Sequence, residues 1–368
     1  MALIELNSEQ KIIQNEIRKF TQAEVEPIAA DNDKKAEFSS TVLKKLSELG
    51  FLGAIIPDAY DGASLDTTSL CVIIEELARA SASIAMVIAV QNCCVAYPLK
   101  VFGSTDLKER FLGKLATSTI GGYAMLSSLD KVRRFETSVA DTRVNFSGVS
   151  DFVMNGAYAG VFAFPVIIND KACIGIHEGS DGMTIETHNL LGLRSAGIVR
   201  TQISQITIPV SDLIGFNGKE VEVNAAVMTY NNIGLAAISL GIAESCFQAA
   251  LAYSKERKQF GRAICEFPMV REMLVDMRTR IDAARLLVYD AAQLCDNGGT
   301  FTVPANNARL FSDETAVFAG TTSVQVHGGY GYTRDYPVER YFRDAKSVQV
   351  IGMNAYEIKE QVAKEILS

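Results

Sequence analysis

A chain of 368 residues with 48% hydrophobic and 21% charged residues has enough apolar surface for more than one core, and its length favours division into sub-domains. The net charge of −8, without a basic stripe to offset it, excludes nucleic acid as a partner. Seven cysteines, odd in number and without paired spacing, exclude a disulfide framework and fit a reducing, cytoplasmic compartment, while the three scattered histidines lack ligand spacing, so no metal site is expected.

Met1–Leu6 shows no basic region followed by an apolar stretch, so no secretory signal is expected. From Ser8 to Ala30, Ile12, Ile13, Ile17, Phe20 and Val25 fall on a helical period. Ser39 or Ser40 is placed to cap a helix over Thr41–Leu49, which Gly50 ends. A turn-rich loop over Ile55–Gly62 follows, then a helix over Leu70–Ala80. Ser83 is the expected cap of an almost wholly apolar helix over Ile84–Tyr97. The apolar run to Leu99 is interrupted by Gln91 and Asn92, which marks a buried core helix and not a membrane span. Thr105 or Asp106 then caps a helix over Leu107–Leu115.

The period changes between Gly121 and Gly215. Short runs such as Phe162–Ile168 and Ile203–Ile208, separated by turn residues, predict seven or eight short strands. Beyond Gly218 the helices return and are long: Val221–Arg257, Glu266–Cys295, Asn306–Val326 and Met353–Leu367. Along the second, Phe267, Val270, Leu274, Met277, Ile281 and Leu294 form one stripe of the kind that packs in bundles and between subunits. The expected organisation is an α+β multidomain chain: an all-α domain over 1–120, a β-barrel-like domain over 121–217, and a four-helix bundle over 218–368.

Five motifs resemble one family. Ile56–Gly62 is similar to an I-P-E-x-Y-G-G loop, Glu75–Arg79 to an E-E-L-A/S-R helix, and Leu191–Ser195 to a G-x-R-x-S strand. Ala252–Arg262 resembles a second signature ending R-K-x-F-G-R, and Gln325–Thr333 a glycine turn closing a long helix. Together they resemble the acyl-CoA dehydrogenases, flavoenzymes that desaturate acyl thioesters. The resemblance implies FAD shared across a subunit interface. A carboxylate would take the substrate α-proton, and an electron-transfer flavoprotein is a further partner. It assigns Arg257, Gln259 and Phe260 to the pyrophosphate and adenine end of a neighbouring subunit's FAD, with Gln325, Gly328 and Gly329 as the turn on which that dinucleotide lies. A guanidinium suits a diphosphate because several charge-assisted hydrogen bonds form at once.

The other half departs from the family's pattern. The flavin-binding T-E-P-x-A-G-S-D run corresponds to Leu126–Arg134, which keeps little of it. The ring-stacking W-I-T becomes Phe152-Val153-Met154, in a chain without tryptophan. The base of I-Y-E-G-T falls on Gly352 or Met353, depending on the direction of counting. The alternative base position used by some relatives falls on Asn231-Asn232. Loss of a general base costs a factor on the order of 10²–10⁴ in rate. The expectation is a subunit with no catalytic residue of its own, paired in a heterotetramer with a complete paralogous subunit that binds an acyl-CoA or acyl-carrier thioester. Two alternatives stand beside it: a self-sufficient flavoenzyme with altered chemistry or a relocated base such as Glu357, and a flavin-free scaffold.

Overall fold

The computed structural model describes residues 5–125, 135–168, 171–216 and 220–367. The first helix, α1 (Ser8–Phe20), starts from a reciprocal cap in which Asn7 Oδ1 accepts the Gln10 N–H at 2.9 Å and Gln10 Oε1 accepts the Asn7 N–H at 3.0 Å. It does not run on to Ala30 as expected. The helix widens over Thr21–Val25, tightens over Glu26–Ile28 and resumes as α2 (Ala29–Lys35). Pro27 explains the break, since it has no N–H and its ring crowds the turn before it.

After α3 (Ser40–Glu48), α4 (Thr67–Ala80) begins earlier than expected because Asp66 Oδ1 accepts the Ser69 N–H at 2.7 Å. The apolar segment is α5 (Ala82–Ala89), a widened stretch (Val90–Ala96) and α6 (Tyr97–Phe102). Its cap is Ser81, not Ser83, because Ser81 has the extended backbone from which its hydroxyl reaches the Ile84 N–H, whereas Ser83 is already inside the helix. Ser104, not Thr105 or Asp106, caps α7 (Thr105–Thr117) for the same reason. Gln91 and Asn92 are fully buried and spent on backbone: Gln91 Oε1 accepts the Gly121 N–H at 2.6 Å, and the Asn92 amide donates to the Leu52 and Ile88 carbonyls. Among the described residues two stretches, Ala82–Phe102 and Val223–Glu256, are long and apolar enough to cross a membrane, but 94% and 78% of their most apolar 18-residue windows are buried inside the fold.

The middle domain is one sheet of eight strands: β1 (Ile120–Ala124), β2 (Phe135–Ala140), β3 (Arg143–Met154), β4 (Ala159–Ile168), β5 (Lys171–Glu178), β6 (Met183–Thr187), β7 (Val199–Pro209) and β8 (Leu213–Ile214). Their order is β6-β7-β3-β1-β4-β5-β8 with β2 also on β3; β1 and β4 are parallel and the other pairs antiparallel. Thr137 Oγ1 on β2 donates to the Ile167 carbonyl at 2.8 Å, folding the sheet over a core of Phe135, Phe146, Phe162 and Phe164. Leu191–Ser195 is a loop and not the expected strand. The Leu193 N–H donates to the Asp344 carboxylate at 2.7 Å instead of to a neighbouring strand, and Leu193 holds a φ of 53°.

The C-terminal helical domain contains α8 (Glu220–Glu256), a hairpin of β9 (Lys258–Gln259) and β10 (Arg262–Ala263), α9 (Pro268–Asp296), α10 (Thr302–His327), α11 (Val338–Gln349) and α12 (Ala355–Leu367). The sequence reading lacks α11. Its charges look solvated but are spent internally: Arg343 binds Asp33 at 2.7 Å and Glu339 at 2.7 Å. Partners as remote as Asp33 leave no local pattern. Met353 precedes α12, which starts at the reciprocal cap of Asn354 and Glu357.

A buried ionic cluster joins the two helical domains. Arg285 on α9 binds Glu75 on α4 at 2.8 Å and Glu244 on α8 at 3.0 Å, while Tyr289 donates to Glu75 at 2.7 Å. Burial alone would push the Glu244 carboxyl up; the Gln248 amide and the Arg285 and Arg278 guanidinia outweigh it and bring it down to about 2, from an ordinary 4.5. A depressed carboxyl contributes stability that is complete above its unfolded value and is lost as pH falls through the folded one. Acid titration of unfolding between pH 5 and 2 should therefore show a falling limb, and Glu244→Gln should flatten it.

Candidate functional site

Two separate cavities receive the residues singled out in the sequence. The first, of about 430 Å³, lies where the sheet domain meets the end of α11. Phe152 and Met154 share one face of β3 and line it, with Val153 turned into the sheet core. Phe152 is half-exposed at the mouth, its ring 5.3 Å from that of His188. Leu193 and Ile198 form the opposite wall, and Val350–Gly352 the floor. Among the described lining residues there is no aspartate, glutamate or histidine. Burial pushes the Asp344 carboxyl, behind the Leu193 loop, up to about 6 although the Leu193 N–H donates to it. Leu126–Arg134 lies outside the described residues.

The backbone separates the two positions considered for the base. Gly352 lines the cavity with a φ of 73°, and a Cβ built there would lie 3.7 Å from Asn231 Nδ2, 3.8 Å from Leu235 Cδ1 and 3.8 Å from Met125 Sδ. Met353 is buried on the other side, its sulfur accepting from the Gln361 amide at 3.5 Å. The neighbouring asparagines divide in the same way. Asn231 faces Gly352, whereas Asn232 donates to Asn306 on α10 at 2.8 Å, and Asn306 donates to Gln361. Glu357 does not line the cavity, because its carboxylate accepts the Asn354 N–H at 3.0 Å as part of the α12 cap.

The floor is held by a residue that the sequence reading missed. Arg309 on α10 is wholly buried and donates to the Val348 and Ile351 carbonyls at 2.6 and 3.1 Å, with its Nε 3.0 Å from Asp313. Asp313 also accepts the Ser239 hydroxyl at 2.6 Å. Burial lowers the Arg309 guanidinium and raises the Asp313 carboxyl, each opposed by the other's charge. An arginine four residues ahead of an aspartate on one helix was the available signal, and it does not distinguish a buried pair from a surface one.

The second cavity, of about 500 Å³, lies at the other end of α10 and brings together Arg257, Gln259, Gly328 and Gly329. Arg257 has its guanidinium 5.9 Å from the Tyr330 ring centroid. His327 stacks on Tyr253 at 4.2 Å and donates to the Ser323 carbonyl through Nδ1; burial lowers its basicity, opposed by that hydrogen bond. Gln325 and Phe260 lie outside the lining. The Gln325 carbonyl accepts the Gly328 N–H, and Phe260 stands 93% exposed on the hairpin. A Cβ at Gly329 would meet nothing within 4 Å in this chain. Its bareness therefore leaves room for something outside the chain to lie against the backbone of the turn.

Known proteins place these features. The family models described as acyl-CoA dehydrogenase, N-terminal domain, and acyl-CoA dehydrogenase, C-terminal domain, match residues 7–119 and 221–366. A short-chain specific acyl-CoA dehydrogenase of Clostridium acetobutylicum is 33% identical over 375 residues, covering 99% of this chain and 98% of its own. The solved butyryl-CoA dehydrogenase of Megasphaera elsdenii matches with a TM-score of 0.94 and 27% identity, covering 99% of this chain and 100% of its own. A chain solved in work on the electron transferring flavoprotein of Acidaminococcus fermentans matches with a TM-score of 0.95 and 28% identity, covering 99% of each chain.

Removing one member of a buried ion pair leaves the other uncompensated, at about 3–5 kcal/mol. Arg309→Met should destabilise the chain by that order in denaturant unfolding and raise amide exchange over 348–352. Adding Asp313→Leu should recover much of the loss.

Proposed function

Because this chain belongs to the acyl-CoA dehydrogenase family, whose cofactor is FAD, we propose that it is the half-site subunit of a heteromeric acyl-CoA dehydrogenase. In a two-fold pair each flavin site draws one half from each chain. In this reading the partner is a complete paralogue that supplies the ring pocket, the base and the acyl thioester site. This chain supplies the grip on the ADP half through Arg257, Gln259, Phe260 and the Gln325–Gly329 turn. FAD, when bound, accepts the hydride. Arg257 neutralises diphosphate charge, and the bare backbone at Gly328 and Gly329 lets the dinucleotide lie close. Phe260 and Tyr332, exposed by 93% and 91%, are apolar surface that a neighbouring subunit would cover.

The observation that carries this reading is the contrast between the two cavities. The tail cavity has the cation and the open glycines that a dinucleotide needs. The described lining of the cleft has no group to accept an α-proton, and Phe152 and Met154 offer the flavin ring no side-chain hydroxyl. A ring pocket of the family's kind does not fit these residues, so no catalytic step is assigned to this chain. The engagement of Glu357 in the α12 cap weighs against it as a relocated base. The tail cavity weighs against a flavin-free scaffold.

The likeness to the short-chain specific and butyryl-CoA enzymes supports a short acyl-CoA as the pair's substrate. The likeness to the Acidaminococcus chain supports an electron-transferring flavoprotein as acceptor. The seven cysteines, none of them in a disulfide, support a cytoplasmic setting.

Expressed alone, the chain should carry no stoichiometric flavin; co-purified with its partner, the pair should hold close to one FAD, read from visible absorbance against protein concentration. A yellow homo-oligomer of this chain that oxidises an acyl-CoA would overturn the reading.

A further inference from the structure

One polar group beside the cleft is left unused by its own chain. Asn231 on α8 is 1% exposed, and its Oδ1 accepts the Cys94 thiol at 3.1 Å. Burial pushes that thiol well above its ordinary range, so it stays protonated and can donate to the amide oxygen as the geometry places it. The Nδ2 end therefore faces away from Cys94, buried and without a hydrogen-bond partner. Buried donors are almost always paired, and an unpaired one is costly. It points toward the place a side chain at position 352 would occupy, 3.7 Å from a Cβ built on Gly352. Met125 Sδ is 3.8 Å from the same point, and Gly352 and Met125 both line the cleft. The donor thus sits behind a slot that opens on the cleft, with a thioether across it. Methionine, unbranched and rotatable about three bonds, is a side chain that yields to a ligand.

We propose that Asn231 is a ligand-recognition residue of this cleft, and that the cleft takes an acyl thioester whose acyl chain carries a hydrogen-bond acceptor oxygen, in preference to a plain saturated one. The proposal rests on the half-site reading and gives this cleft, with no carboxylate among its described lining residues, a ligand to hold. The walls given by Phe152, Met154, Leu193, Ile198 and Ile351 suit an apolar chain. An acceptor oxygen in the slot would satisfy Nδ2, whereas a methylene there would leave it buried and unpaired. With glycine at 352, no carboxylate competes for the slot or repels an oxygen that enters it.

The test is an equilibrium titration of the intact pair with butyryl-CoA, its β-hydroxy and β-keto counterparts, and succinyl-CoA. The neutral probes and the carboxylate distinguish which acceptor is preferred. At least one oxygenated probe should bind this chain's cleft about tenfold more tightly than butyryl-CoA. Asn231→Leu in this chain should bring the two to parity. The partner's site contributes equally to both preparations, so the difference between them isolates this cleft. Gly352→Ala, which fills the slot with a methyl at ordinary contact distance from its neighbours, is the second variant and should also abolish the preference. Parity in the unmodified pair, a preference that survives both variants, or no binding at this cleft would overturn the proposal. Flavin content measured on the same samples reports separately on the half-site reading: normal flavin with parity overturns only the recognition role of Asn231.

Discussion

A guanidinium without access to water sets the geometry of the cleft. Arg309 cannot be buried as a bare cation, so the fold brings it two acceptors, the Val348 and Ile351 carbonyls at the end of α11, and a counter-charge, the Asp313 carboxylate one turn along its own helix. Those bonds fix where α11 stops. They leave Gly352 in a left-handed conformation facing Asn231 and send Met353 the other way, toward Gln361. The Asn232–Asn306–Gln361 chain of amides joins α8, α10 and α12 beside it. The floor of the cleft is therefore rigidly built, and its described lining holds no aspartate, glutamate or histidine.

That combination separates a collapsed cleft from an open one that has lost a side chain. A cleft that had collapsed would have its floor filled or displaced. Here the cavity is open, its walls are formed, and the one missing side chain leaves a slot bordered by an asparagine amide and a thioether. At the far end of α10 the opposite holds. Arg257, Gln259 and the glycine turn form a recess suited to a nucleotide tail, and the apolar ring of Phe260 stands in solvent beside it. Neither cavity is a complete flavin site within one chain. In the proposed two-fold pair the two would be parts of different sites, and this chain would contribute to a single working centre.

Much of this was legible in the sequence because it rests on local chemistry. The α–β–α order follows from a change of period at Gly121 and a return at Gly218, and the arginine and glycine motifs lie on contiguous residues. What escaped depends on remote partners. The helix α11 has no place in the sequence reading, and Asp33, which pairs with its Arg343, lies too far along the chain to leave a pattern. The Leu191–Ser195 loop reads as a strand until Asp344 is seen to take its N–H. Helix starts were misplaced where two hydroxyl residues compete for one cap: Ser81 and Ser104 win because they lie outside the helix, with the extended backbone that a capping side chain requires. Counting alone left Gly352 and Met353 equivalent as base positions. Backbone direction separates them, and no periodicity encodes it.

The central claim is asymmetry, and the most direct measurement of it is the flavin content of the pair after one arginine is changed on one chain at a time. Arg257→Ala in this chain should strip FAD from the pair, while the same change at the matching arginine of the complete partner should leave it bound. If the partner's change removes the flavin and Arg257→Ala does not, this chain does not hold the nucleotide tail of its neighbour's cofactor, and the account fails.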